Sequence, residues 1–284
     1  MAGLRRKMES SDGGVATTVG TIMALLIFLS ILSLITQQYV PVWMEDTEAY
    51  HMDEVKGQFA DLKSGIDSMV INERTDYPLY SSINLGTAGI PLFAGSSPGR
   101  LTFSPHWNDT HQDEGMHVSF YDTDDGELVS FRSSGNISYH AINREFEDQT
   151  LIYEHGSIIL EQSDGEIMRA RPQISIEEVD VGEYEISATM IHLDGSSRDL
   201  SGTSRVGVTT ELVGTRSYIY SDIENFTWSL TTAYPRLWSN YINNETDAET
   251  SINGNVVDIS LPDVGDNKID LDIRRVKVEV EIER

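Results

Sequence analysis

The sequence predicts an α+β protein. A long N-terminal helix, first transmembrane and then amphipathic, leads into a mostly antiparallel, β-sandwich-like domain with one short helix. Three observations predict this. An uncharged apolar run follows a basic leader, an apolar seam at helical spacing follows that run, and beyond residue 72 short alternating stretches are divided by Asp-Gly pairs. The implied units are a basic leader (1–14), a transmembrane or assembly helix (15–40), an amphipathic stalk helix (41–72) and a β-rich domain (73–284).

Arg5, Arg6 and Lys7 precede the apolar run, and no charge appears between Asp12 and Glu45. Val15 to Ile35 as a helix is long enough to cross the roughly 30 Å hydrocarbon core of a bilayer. A secretory signal has a shorter apolar core and an A-x-A-like cleavage site, whereas Thr36-Gln37-Gln38-Tyr39 follows here. A single-pass anchor is therefore expected over a cleaved signal or a buried core helix. The basic cluster should stay cytoplasmic, which places the acidic body outside the cell. Ala16, Gly20 and Ala24 are spaced by four, a small-residue stripe that lets helices approach closely and favours packing on other helices. Tyr39 and Trp43 fall where an aromatic interface belt is expected. Pro41 lacks a backbone donor and is expected to kink or break the helix near Gln37-Gln38-Tyr39.

Past Pro41, Met52, Val55, Phe59, Leu62, Ile66 and Met69 repeat at intervals of three and four, with charged residues between them. Such a seam packs either on the protein's own sheet or on a partner helix. The first is favoured, because the seam is short for an independent coiled coil.

In the body, "MHVSFYDT" and "ELVSFRSS" flank Asp125-Gly126 as a hairpin, and "GSIILEQ" and "EIMRARP" flank Asp164-Gly165. "EYEISATMIHL", "RVGVTTELVG" and "LDIRRVKVEVEIER" also alternate; in the last, Val276, Val278, Val280 and Ile282 share one face. "WSLTTAYPRLWSNYIN" reads as a helix with Pro235 in its first turn and Leu237, Trp238 and Tyr241 as packing residues. "LGTAGIPLFAGSSPGRLTF" reads as the loop joining stalk to sheet.

The chain carries 46 acidic against 20 basic residues, a formal net charge of −26, and no Cys. The charge disfavours nucleic acid and anionic lipid surfaces as partners. The absence of Cys excludes cysteine catalysis, thiolate zinc sites and disulfides. No HExxH, G-x-S-x-G or phosphate-binding Gly-Lys-Ser/Thr pattern occurs, so no enzyme activity and no cofactor are expected. "DTDDGE", Asp122 to Glu127, departs from a calcium loop and reads as a hairpin turn. Asp263, Asp266, Asp270 and Asp272 form a weak Ca²⁺ candidate. Asn108, Asn136, Asn225 and Asn244 each begin an Asn-x-Ser/Thr triplet, a possible glycosylation acceptor on an outward domain; Asn136, beside Gly135, is expected to lie in an exposed turn.

The short leader ending in Gly, followed by "VATTVGTIMALLIFLSILSLI", resembles the class III signal region of archaeal type IV pilin-like proteins. "GIPLFAGSSPGRLTF", "DQTLIYEHGSIILEQSDGEIM" and "TTAYPRLWSNYIN" resemble segments of a largely haloarchaeal, pilin-like surface family. The resemblance implies that a prepilin peptidase cuts between Gly14 and Val15. It also implies that subunits assemble through their apolar helices as homo- or hetero-oligomers, with β-rich heads outward and a structural or adhesive role. Val19 stands where many pilins carry an acidic residue, a residue that archaeal pilins often lack. The alternative is an uncleaved single-pass membrane protein whose outer domain binds a ligand or partner.

Overall fold

A computed structural model describes residues 12–75, 77–106, 115–123, 126–262 and 268–283. Its first feature is one helical rod in three pieces: α1 (Asp12–Leu34), a π-helical turn (Ile35–Tyr39) and α2 (Val40–Asn72). The rod is not broken at Pro41; the disturbance expected near Gln37-Gln38-Tyr39 takes the form of the π-helical turn. Proline would drive its ring into the Gln37 carbonyl of a regular α-turn. The wider π turn just upstream, with the Val40 N–H bonded to the Ile35 carbonyl, absorbs the misfit. The rod ends at Glu73, a non-glycine residue at φ 50°, where the Glu73 and Arg74 N–H groups take up two of the last four carbonyls, those of Val70 and Met69.

Three sheets follow. The first has the order β1 (Leu79–Asn84), β12 (Arg205–Tyr220), β16 (Lys268–Glu283), β10 (Glu183–Gly195) and β9 (Ile174–Asp180). The second runs β11 (Arg198–Gly202), β2 (Gly99–Ser104), β5 (Asn136–Ala141), β6 (Thr150–Glu154), β7 (Ser157–Gln162) and β8 (Gly165–Ala170). The third runs β14 (Glu249–Asn253), β15 (Val256–Ser260), β13 (Glu224–Thr231), β3 (Met116–Tyr121) and β4 (Leu128–Ser133). Helix α3 (Pro235–Glu245) connects β13 to β14. Among the described strands every pairing is antiparallel except β10 with β16, at the centre of the first sheet.

Two hydrophobic cores result, and the first sheet serves both. Core one gathers the α2 seam with Ile83, Phe103, Tyr139 and Leu151, and with Ile191, Leu193, Val276, Val278, Val280 and Ile282. Core two gathers Phe120, Trp228, Trp238 and Ile242 with Ile186, Ala188, Met190, Ile269, Leu271 and Ile273. Along β16 the buried apolar residues are odd-numbered up to Ile273 and even-numbered from Val276 on; along β10 they are even up to Met190 and odd from Ile191. Because side chains alternate across a strand, the first sheet presents opposite faces to the two cores. The change falls at Arg274-Arg275. Gly195 closes β10 at φ 140°, where a Cβ would lie 2.3 Å from the Val280 carbonyl, so the position admits only glycine.

The seam packs within the chain: Met52, Val55, Phe59, Leu62, Ile66 and Met69 are all buried between the first and second sheets. Two segment readings are corrected. Leu85–Pro98 joins β1 to β2, so a strand precedes that loop and its "GRLTF" end is itself a strand. Trp228 to Thr231 complete β13, and the helix begins only at Pro235, because Trp228 and Leu230 alternate into core two. The Asp164-Gly165 hairpin pairs Gln162 with Gly165, leaving Ser163-Asp164 as its two turn residues.

Phe59→Ala, at full burial, should cost roughly 3–5 kcal/mol in urea unfolding of the detergent-solubilised chain. Ile27→Ala, on the uncovered part of the rod, should leave the same transition unmoved.

Candidate functional site

The rod changes its surroundings at about Val40. From Thr17 to Tyr39 nearly every side chain is uncovered, including Ile22, Leu25, Leu26, Phe28 and Ile31. Three hydroxyls in this stretch bond back to the helix: Thr21 to the Thr18 carbonyl (2.9 Å), Ser30 to Leu26 (2.8 Å) and Thr36 to Leu32 (3.0 Å). Back-bonding of this kind lets polar groups sit in an apolar solvent. The helix is long and apolar enough to cross a membrane. Tyr39 and Trp43 are half-exposed at its end, ring centroids 6.1 Å apart. Gly14, Val15 and Ala16 lie on the first turns of α1; Gly20 has open space around it and Ala24 is exposed, so this part of the stripe faces no neighbour within the chain.

Where the rod meets the β-domain, three polar side chains grip loops and a strand end. Glu48 is fully buried in phase with the seam, four residues before Met52. Its carboxylate accepts the N–H groups of Arg144 (3.0 Å), Glu145 (3.0 Å) and Phe146 (2.8 Å), and the Ser97 hydroxyl. Burial by itself would raise the Glu48 pKa; the Phe146, Ser97, Glu145 and Arg144 donors outweigh it and hold the carboxyl below its ordinary value. One turn on, buried His51 donates from Nε2 to the Asn84 carbonyl (3.0 Å), because a carbonyl can only accept. Burial keeps this imidazole below its usual range, against the pull of the Asn84 carbonyl and of Glu54 and Glu48. Gln58 Oε1 accepts the Asn84 N–H (2.9 Å), so two helix side chains satisfy both backbone groups at the end of β1.

A second buried carboxylate behaves oppositely. Among the described residues Glu154, at the β6–β7 turn, accepts Trp238 Nε1–H (2.7 Å) and the Thr232 hydroxyl (2.6 Å) alone. Desolvation wins there and raises its pKa. The adjacent His155, at φ 48° and edge-on to Trp238, is pushed down to about 4 by burial.

A cleft of about 470 Å³ lies where the first sheet changes face. Its floor is two cross-strand rows: Met190, Arg275 and Arg216, then His192, Lys277 and Gly214. Its wall is the end of β4, sewn to β10 by the Leu193 N–H on the Ser134 carbonyl (2.9 Å) and the Ser134 N–H on His192 Nδ1 (3.2 Å). Val213 is bulged out of β12 beside it.

Other sequence candidates are dispersed. Asn136 is not in a turn: it opens β5 inside the second sheet and is half-buried, because its neighbours Ser104 and Glu154 flank it on paired strands. Asn225 and Asn244 are exposed, and Asn108 lies outside the described residues. Asp263 and Asp266 also lie outside them; Asp270 and Asp272 are exposed on one face of β16. Among the described residues no group of three or more His, Asp or Glu is gathered for a metal ion. Asp122 and Glu127 close a hairpin, with the Asp122 N–H on the Glu127 carbonyl (3.0 Å).

Sequence reasoning missed Glu48, although its phase with the seam marks it: a charge at a seam position is buried and must be satisfied. The cleft had no local signal, since its residues come from four separate strands.

These features define a class: a β-rich domain built around the second half of a helix whose first half is long and apolar enough to span a bilayer. Residues 109–281 match a family of unknown function (DUF7289), and the chain belongs to that family. No curated protein and no solved structure matches the chain.

The two carboxylates should respond to substitution with opposite sign. Glu48→Gln turns an NH₂ toward backbone donors and should cost about 2–4 kcal/mol, whereas Glu154→Gln keeps an acceptor, removes a buried charge and should stay within about 1 kcal/mol of the parent or above it. Because the folded Glu48 pKa lies below its ordinary 4.5, its contribution is complete above pH 4.5 and is lost as pH falls through the folded value. Urea unfolding at pH 7 and pH 3 should show the Glu48→Gln penalty shrinking at the lower pH.

Proposed function

We propose that the chain is a membrane-anchored, outward-facing surface subunit of pilin-like type. In this reading α1 is the anchor and assembly helix, and the acidic β-domain is its head. The observation that carries the proposal is the unbroken rod: α1 is apolar and uncovered, and α2 is locked into the head by its seam and by Glu48. A subunit so built transmits the position of its helix to its head without a flexible joint. The leader ending at Gly14, the cut before Val15 and assembly through the stripe that includes Gly20 and Ala24 rest on the resemblance of the N-terminal segment. So do the prepilin peptidase and pilus machinery as partners. The basic leader supports a cytoplasmic N-terminus with the head outside, and the net charge of −26 suits a solvated outer face. No enzymatic role is proposed.

A second reading is an uncleaved single-pass protein whose head binds a ligand; the cleft on the first sheet favours it. N-terminal sequencing of the protein from its native membrane separates the two. The pilin-like reading predicts a chain starting at Val15, and loss of that start in Gly14→Val. A chain that keeps residues 1–14 in the membrane fraction supports the second reading.

A further inference from the structure

In so acidic a chain the cleft at the face change is conspicuous for its basic rim. Arg216 and Arg275 stand directly opposite each other on β12 and β16. Like charges in that position repel and normally weaken a strand pair. Among the described residues neither arginine forms an ion pair, although acidic residues outnumber basic ones by more than two to one. The Arg275 guanidinium is instead held 5.6 Å from the centre of the Phe131 ring. Lys277, in the next row, is paired with Asp194 at 2.6 Å.

The wall carries a second unfavourable feature. Ser133 is 3 % exposed, lines the cleft and follows Phe131 by two along β4, so it faces the first sheet. Among the described residues its hydroxyl has no hydrogen-bond partner. An unmet buried hydroxyl is costly and rare in folded proteins. The opening itself has a simple origin. Gly214 has no side chain opposite Lys277, and a Cβ there would meet nothing within 4 Å.

We propose that this cleft is a binding site for a small organic anion. Its oxyanion head (carboxylate, phosphate or sulfate) sits between the Arg216 and Arg275 guanidiniums and takes the Ser133 hydroxyl. Its apolar body lies on Met190, Tyr218 and Val213. One ligand then answers both unfavourable features: it neutralises the paired arginines and gives the buried hydroxyl an acceptor. Guanidiniums suit such a head because their planar forks bind oxyanions through two bonds at once. The inference concerns the head domain and stands whether or not α1 assembles.

The test uses the full chain in non-ionic detergent at low salt, titrated calorimetrically with benzoate, phenyl phosphate and phenyl sulfate, and with benzyl alcohol as the neutral control. At least one anion should bind saturably at one per chain, and the alcohol should not. Arg216→Gln and Arg275→Gln should each weaken binding about tenfold, the scale of one charge-assisted hydrogen bond. Gly214→Val should fill the opening and abolish binding with thermal unfolding unchanged. The proposal is overturned if no anion saturates, if benzyl alcohol binds as well as the anions, or if a normally folded Gly214→Val protein binds like the parent.

Discussion

The joining of the rod to the β-domain depends on the burial of one half of a helix. Met52, Val55, Phe59, Leu62 and Ile66 are almost wholly removed from solvent between two sheets. Each such side chain contributes about 1.5–3 kcal/mol of transfer free energy. The same rod, without interruption, presents Ile22, Leu26 and Phe28 to whatever surrounds it. One continuous hydrogen-bonded ladder thus carries an uncovered apolar half and a covered one, and the transition between them is sharp. At that transition Glu48 satisfies three loop amides, His51 and Gln58 finish β1, and the π turn accommodates Pro41. A helix end held only by apolar contact could slide or rotate along its groove; the directional bonds at Glu48 and Asn84 fix its register.

The first sheet extends the same economy to the rest of the domain. Its three long strands pass from one core to the other and exchange faces at Arg274-Arg275. The parallel pairing of β10 with β16 places the C-terminal strand at the centre of the sheet, between β10 and β12. The last strand of the chain is therefore among the most buried, and the domain cannot complete either core without it. The cleft lies at the face change, where the two cores meet along the first sheet.

Much of this was legible in the sequence where the signal was local. The seam from Met52 to Met69, the pairing of β3 with β4, the hairpin at Asp164-Gly165, and the alternation of Val276 to Ile282 each rest on neighbouring residues, and each forms the expected element; Asp125 itself lies outside the described residues. What was not legible depends on distant partners. The strands Leu79–Asn84 and Ile174–Asp180 are half-exposed edge strands with weak alternation, specified by the strand beside them. Trp228 to Thr231 look helical beside "PRLWSNYIN" and become strand because β3 and β15 lie on either side. Pro41 signalled a kink or break near Gln37-Gln38-Tyr39, and the disturbance there is a single π turn that keeps the helix continuous. Among the candidate residues, the seam could be read directly. Glu48 showed only as a charge in phase with a hydrophobic pattern, and Arg216, Arg275 and Ser133 meet only through tertiary folding.

The central claim is that residues 52–70 belong to the core of the head and are not a separable stalk. Amide hydrogen exchange on the full chain in detergent tests it most directly. The account predicts that amides of residues 52–70 exchange only through global unfolding, at the same free energy as the central strands β10, β12 and β16. Exchange of those helix amides well ahead of the three strands, with the strands still protected, would contradict it.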